Sequence, residues 1–397
     1  MTGPRVAIVG AGIIGLAIGW RLRQRGVSDL ALLDSGEPGA WHVAAGMLAP
    51  GGESAFEQPA LVRLLDEANE RWPAFAAELG VDVGYDATGT LGLAMTADDL
   101  AEAARVWTRQ KLPLLRPSEL REREPALSPR VRAGVHAPTE RQVDPRKVVA
   151  ALRDRLADRI VAKRVEDLSE VDADVVVVAA GCGTAELTGL PVRPVKGQLV
   201  RLRGEPGLLR HVLDATVDGR HVYLVPRADG EIVVGATQEE RTDHAITAGG
   251  VHELLHAALD VVPGLAELEL VETTVGHRPG TPDNAPLLGP LDGDRRVVVA
   301  AGHHRNGVLL APITADLIAA LVADGHADPL LAQFAPGRLE RTPPGKSRLG
   351  ESESESKRES KRENERESES QNERESESQN ERENERENER EKRPGRF

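Results

Sequence analysis

The sequence predicts an α/β plus α+β protein: a Rossmann-like nucleotide-binding sheet built from separate stretches of chain, with an antiparallel-sheet domain inserted between them. Three observations predict it. Near the N-terminus a glycine-rich turn separates an apolar run from a helical pattern, and the next apolar run ends on an acid. Two further valine-rich runs, 174–181 and 297–302, also end on glycine. Between them lie extended segments that alternate apolar and polar residues, as in a sheet with one covered face.

The first unit is the most specific. Val6-Ala7-Ile8-Val9 suits a buried parallel strand and leads directly into Gly10-Ala11-Gly12-Ile13-Ile14-Gly15. Ile14, Ala17, Ile18 and Leu22 then recur at helical spacing. The run 30–33 ends on Asp34, at the distance the dinucleotide fingerprint requires. Each residue has a physical task. Gly10 permits the tight turn, Gly12 lets backbone approach a pyrophosphate, and Gly15 lets helix pack on strand. The helix N-terminus offers N–H groups and a positive dipole end to phosphate. Asp34 can accept hydrogen bonds from a ribose. The alternative is a glycine turn without a ligand, but strand, helix and acid are all in register.

The remaining elements follow in order. Gly36-Glu37-Pro38-Gly39 is a turn. Residues 41–50 are mostly small, which suits a helix or loop lying against a flat ligand. Leu61, Leu64, Leu65, Ala68, Trp72 and Phe75 share a helical face over 59–79. A strand is expected over 90–95, a helix over 98–112 and a strand over 134–137. Asp144 and Pro145 supply an N-cap and a first-turn proline for a helix through Leu156. Extended segments follow at 160–165, 194–203, 221–226 and 231–237, with a helix candidate at 251–259. After residue 272 the chain returns to the pattern of its first unit. A buried strand leads into His303-His304-Arg305-Asn306-Gly307, and an apolar helix follows over 311–322. The expected division is 1–82, 140–192 and 272–338 for the nucleotide domain and 83–139 and 193–271 for the inserted one.

Composition narrows the classes of function. From Glu351 onward the chain is Glu, Ser, Arg, Asn, Lys and Gln, with no apolar residue before Pro394 and Phe397. Residues 346–397 are therefore expected to be a disordered, charged tail, with a partner-binding tail as the alternative. From Glu351 to the end, 17 acids oppose 12 bases, so −9 of the formal −14 charge lies outside that stretch. That argues against nucleic acid as the main ligand. A single cysteine, Cys182, excludes an intrachain disulfide and fits a reducing compartment. No apolar stretch reaches the length of a membrane span, and the first strand begins too early for a signal peptide. A cytoplasmic protein is expected.

Several segments, taken in order, carry a family resemblance: 10–15, 44–48, 194–198, 221–227, 235–237, 278–281 and 302–312. Together they resemble the flavin-dependent amine oxidases related to D-amino acid oxidase, and within them the glycine oxidases of thiamin biosynthesis. The resemblance covers about Arg5 to Phe334. It implies an FAD-binding domain and an antiparallel substrate domain laid over the flavin. It places Ile13 and Ile14 at the pyrophosphate, Asp34 and Ser35 at the ribose, and Ala40 and Trp41 near the phosphates. Ala45, Gly46 and Met47 would lie against the isoalloxazine, and Val165 would give adenine a backbone contact. His303, His304, Arg305, Asn306, Gly307, Val308 and Leu309 would supply groups to the pyrimidine edge. It also implies non-covalent FAD, because the late cysteine of covalent relatives is missing.

Chemistry sets its own demands on such a site. An amino acid oxidase must hold a carboxylate, and the planar fork of arginine does this with two parallel hydrogen bonds. The resemblance assigns that role to Arg278, which is expected just after a strand and before Pro279-Gly280, a hydroxyl contact to Tyr223 and a second cation to Arg305. These are binding roles, since hydride transfer to a flavin needs no protein base at carbon. Each residue has a structural alternative: a surface ion pair for Arg278, core packing for Tyr223, a structural carboxylate partner for Arg305. His303 and His304 point differently and have no third ligand at useful spacing, so no metal is expected. The implied reaction is oxidative deamination of glycine to imine or glyoxylate, with ammonia and hydrogen peroxide. A sarcosine or D-amino acid oxidase or dehydrogenase, and an inactive flavin-binding module, are the alternatives. Oxygen is the expected acceptor, and some members of the family are tetramers.

Overall fold

The N-terminal unit forms strand β1 (Val6–Val9), helix α1 (Ile13–Gln24) and strand β2 (Leu30–Asp34). Next come β3 (Met47–Leu48), α2 (Pro50–Glu53), α3 (Pro59–Glu78), β4 (Thr90–Ala94), α4 (Ala97–Arg109), β5 (Leu114–Leu115) and α5 (Pro117–Arg123). Strands β6 (Ala133–Ala137) and β7 (Arg141–Gln142), helix α6 (Pro145–Arg155), strands β8 (Ile160–Ala162) and β9 (Val175–Val178) and helix α7 (Thr184–Thr188) follow. Then come β10 (Arg193–Arg203), β11 (Val212–Val217), β12 (Arg220–Pro226), β13 (Glu231–Gly235), α8 (Ala248–Val261) and β14 (Glu269–Gly280). Strands β15 (Leu287–Leu291) and β16 (Asp294–Ala301) and helix α9 (Ala311–Asp324) complete the order. This computed structural model describes residues 3–53 and 58–339, the side chains of Gly52 and Glu53 excepted. The chain divides into Met1–Thr342 and Pro343–Phe397. The tail expected over 346–397 lies outside the described residues.

Two sheets organise the first unit. The six-stranded sheet has the order β15-β16-β9-β1-β2-β8 and is parallel except for the β15–β16 pair. Its central strands are valine-rich because both faces are covered. Val6 and Ile8 join the core formed with α1, α3, α6 and α9, while Ala7 and Val9 join a second core on the opposite face with Leu190 and Val192. The eight-stranded sheet has the order β14-β10-β13-β12-β11-β4-β6-β5, antiparallel except where β11 meets β4. One of its faces, with Leu91, Leu213, Val222, Leu224, Ile232, Val234 and Val200, packs on α8. Registers place Asp214, Tyr223, Gly235 and Leu199 opposite one another in neighbouring strands, on the other face.

Caps fix the elements near that second face. Thr96 and Asp99 form a reciprocal capping box at α4. Asp99 also accepts from Asp218 N at 3.1 Å and Gly219 N at 2.8 Å, which ties the β11–β12 turn to the same helix. At α6 the Asp144 carboxylate accepts from Arg146 N and Lys147 N, and Pro145 fills the first turn, as the sequence predicts.

The structure corrects four expectations. Residues 41–50 are neither one helix nor a plain loop: a 3-10 turn at Ala40–His42 precedes β3, because Met47 finds a strand partner in Gln142. Val165 lies beyond β8, which ends at Ala162. Arg278 stands inside β14 rather than after a strand, paired with Val195. The switch expected at residue 272 falls within β14, whose pairing with β10 continues to Gly280.

Candidate active site

The face of the eight-stranded sheet opposite α8 carries the residues with chemistry. Arg278 on β14 and Tyr223 on β12 start three strands apart, yet they reach hydrogen-bonding distance of each other. Two glycines in the intervening strands make this possible. A Cβ on Gly197 of β10 would stand 2.7 Å from Arg278 Nη2 and 2.8 Å from its Cζ. A Cβ on Gly235 of β13 would stand 2.6 Å from Tyr223 Cζ. Both side chains therefore lie flat over positions that have no side chain. Arg278 Nη1 also donates to Thr237 O at 3.1 Å and Lys196 O at 3.4 Å, which fixes the guanidinium.

The same face covers the segment that leads into β3. Ala45, Leu199, Val212, Val225 and Val233 form one apolar cluster, with Val43, Met47 and Tyr223 packed against it. Arg227 at the end of β12 grips this segment. It donates to Ala45 O, to Val143 O at 3.0 Å and to Gln142 Oε1 at 2.8 Å. Arg146 on α6 donates to His42 O at 2.8 Å and makes a bidentate pair with Glu272 of β14, both contacts at 2.9 Å. Residues 42–47 are thus held from two sides by buried or half-buried arginines, the geometry expected of a platform for a planar ligand.

At the N-terminal turn, Gly10 has φ +107°, and a Cβ there would press on Ala179 at 2.9 Å. A Cβ on Gly15 would run into the Gly10 carbonyl, so helix α1 can approach β1 only with glycine here. Gly12 meets nothing closer than Trp41 Cδ1 at 3.6 Å, so protein packing does not require glycine there. Helix α1 has no acid in its first turn and no side-chain cap. Asp34 ends β2, and its carboxylate accepts from Arg153 and, at 3.3 Å, from Gly36 N. Lys163 N donates to Asp34 O at 2.9 Å, which brings Val165 to the same edge.

A family model described as FAD dependent oxidoreductase matches residues 5–321. The chain belongs to this family. It is 36% identical over 352 residues to glycine oxidase of Geobacillus kaustophilus, which covers 80% of this chain and 92% of that protein. It superposes on the crystal structure of glycine oxidase from Geobacillus kaustophilus with a TM-score of 0.75 at 33% identity, over 86% of this chain and 100% of that one. It is also 35% identical over 366 residues to the bifunctional protein ThiO/ThiG of Synechocystis sp., across 85% of this chain. The match covers 54% of that relative, so the chain spans about half its length.

The residues present fit the FAD of this family. The Gly12 position is open to a ligand, and the uncapped α1 N-terminus is suited to a pyrophosphate. Trp41, beside Gly12 and half-buried, stands where the phosphates are expected. A second turn, His304–Asn306, follows β16 and precedes α9, which also has no acid in its first turn. Asn306 in this turn and Val308 and Leu309 after it are buried, and Leu309 O accepts from Trp72 Nε1 at 2.9 Å. His303 is core: its Nε2 meets Thr314 Oγ1 at 3.1 Å, and burial pushes its imidazole down to about 3. His304 is pushed down to about 4, by burial first and then by Arg305 and Arg278. Both are neutral at ordinary pH, so the positive charge of this region comes from arginines.

Arg305 extends from this turn toward the sheet face, where its charge acts on both Tyr223 and Asp214. Burial raises the Tyr223 phenol, against the pull of Arg278 and Arg305, so the hydroxyl remains a neutral donor. Cys182 is half-buried, and burial raises its thiol to about 11, which keeps it protonated. Sequence reasoning missed Gly197, Gly235, Arg227, Arg146 and Glu272 as parts of the site. Gly197, Arg227 and Gly235 stood only as letters of the resembling segments, and Arg146 and Glu272 in none of them, because each acts through a partner distant in sequence.

Proposed function

We propose that this chain oxidises glycine to its imine in an FAD-dependent reaction, the imine serving thiazole formation in thiamin biosynthesis or hydrolysing to glyoxylate and ammonia. The observation that carries the reading is the meeting of Arg278 and Tyr223 over Gly197 and Gly235, on the sheet face that covers residues 43–47. The family relationship supports it, as does the likeness to glycine oxidases over most of the chain.

When bound, FAD supplies the hydride acceptor, and its reoxidation by oxygen yields hydrogen peroxide. Arg278 binds the substrate carboxylate through its fork, held in place by the Thr237 and Lys196 carbonyls. Tyr223 donates its hydroxyl to the same carboxylate. Arg305 adds a second positive charge near Tyr223. The apolar cluster around Met47 and Leu199 excludes water, which strengthens these contacts. Gly10, Gly12, Ile13, Ile14, Gly15 and Trp41 would hold the pyrophosphate, and Asp34 with Ser35 the ribose. Val165 would meet adenine, Ala45 to Met47 would back the ring system, and backbone of 303–309 would meet its edge. Residues 83–139 and 193–280 then form the substrate-facing part. Anaerobic addition of glycine to the yellow protein tests the proposal. Bleaching of the flavin is expected; an unbleached spectrum with glycine at saturating concentration would contradict it.

A further inference from the structure

We propose that Asp214 is a positioning residue of the substrate site, which holds His221 beside the pocket as an imidazolium and thereby makes carboxylate binding pH-dependent. The inference rests on the reading of the face around Tyr223 as the substrate site. Strand register carries it. Asp214 of β11 stands directly opposite Tyr223 of β12, and His221 is two residues before Tyr223, so all three side chains leave the same face. The His221 Nε2 and Asp214 Oδ1 atoms are hydrogen-bonded, and the His221 and Tyr223 rings meet edge to face at 6.2 Å between centroids. Asp214 is mostly buried and His221 about half exposed, so the imidazole spans from the sheet face to solvent.

The charges around the pair come from several elements. Burial alone would push the Asp214 carboxyl up, but the charge and hydrogen bond of His221 and the charge of Arg305 outweigh it and hold Asp214 ionised. Arg305 approaches from the turn after β16, and Arg278 reaches Tyr223 from β14. Glu140, just before β7, faces Asp214 from a third side. It is buried, and burial, with a further push from Asp214, raises its carboxyl to about 7. Asp214 is therefore the ionised member of an acid pair at neutral pH, and an ionised carboxylate bonded to imidazole favours the imidazolium. The imidazolium in turn adds a positive charge within one side chain of Tyr223, where the substrate carboxylate is expected.

The test uses the holoenzyme and acetate as the probe, with binding read from the change in flavin absorbance between about pH 6 and pH 9. The wild type should bind acetate about fivefold more weakly once His221 has lost its proton. In Asp214→Asn the inflection should move down by about one pH unit or more. His221→Gln should abolish it, and Glu140→Gln should leave it in place, which separates the second titrating acid. With glycine, Asp214→Asn should raise KM severalfold near neutral pH and change kcat less than about twofold. Should Asp214→Asn fold poorly, His221→Gln decides alone, since a half-exposed side chain tolerates the change. An inflection that stays at the same pH in Asp214→Asn, or persists in His221→Gln, overturns the proposal, as does an acetate affinity independent of pH. If acetate binding behaves as expected while glycine fails to reduce the flavin, the inference stands and the assignment of glycine as substrate falls.

Discussion

Gly197→Ala should disable the enzyme while leaving it folded. The new Cβ would stand 2.7 and 2.8 Å from Nη2 and Cζ of Arg278, whereas ordinary van der Waals contact begins at 3.4 Å. The guanidinium must therefore retreat by roughly 1 Å, and a misplacement of that size costs about a hundredfold in rate. Its bonds to Thr237 O and Lys196 O would break or lengthen with it. The colliding atoms belong to the end of a flexible side chain, so the strand itself is not forced apart. Expected outcomes are normal FAD content, a Tm within a few degrees of wild type, and kcat/KM for glycine about a hundredfold lower, which is about 2.7 kcal/mol of transition-state stabilisation. Gly249→Ala is the control, because a Cβ there meets nothing within 4 Å. It should be silent in activity. The reasoning is refuted if Gly197→Ala retains wild-type kcat/KM, or if it loses FAD and stability along with activity.

Asp34→Ala should weaken FAD binding by roughly tenfold or more, since a hydrogen bond to a charged group contributes about 1.5–3 kcal/mol. Titration of apoprotein with FAD measures this, and unchanged affinity would put another group on the ribose. Glu140 is an acid whose folded pKa, about 7, lies above its ordinary value of 4.5. The native state then binds more protons than the unfolded state between those values, so its contribution to stability falls as pH rises through that window. Glu140→Gln should gain on wild type from about pH 5 to pH 8, by at most about 3.4 kcal/mol in denaturant titrations. A difference that does not vary with pH would show that Glu140 is ionised throughout. Acid precipitation should release the yellow colour to the supernatant, as expected for FAD held without a covalent bond; colour retained in the pellet would show a link.

The six-stranded sheet was legible because its signals are local. The runs 6–9 and 174–181 need only be apolar, and the glycine turn between strand and helix is contiguous. Strand β11 was not legible, and β14 only in the stretch before Arg278, because their patterns are interrupted. Asp214 interrupts the apolar run of β11, and β14 carries Gly276, Arg278 and Pro279 at a half-exposed sheet edge. Charged residues, glycine and proline within a strand break the apolar pattern that would announce it. Arg278 and Tyr223 could be named from the resemblance, but their convergence depends on glycines in two intervening strands. That is a fact of register, which a single sequence does not display. Arg227 illustrates the same limit: it holds the carbonyl of Ala45, 182 residues away in the chain.

Arg278 is proposed to anchor the substrate carboxylate. The most direct measurement compares flavin reduction by glycine and by a carboxylate-free amine, under anaerobic conditions, in wild type and Arg278→Ala. Loss of a buried partner of a charge costs about 2–5 kcal/mol, so glycine should reduce the variant's flavin roughly 30- to 5,000-fold more slowly per unit concentration. Arg278→Lys should recover only part of this, because an ammonium lacks the fork. The carboxylate-free amine, which never used the contact, should be affected far less. Equal losses for the two substrates would show that Arg278 serves the fold and that the anchor lies elsewhere.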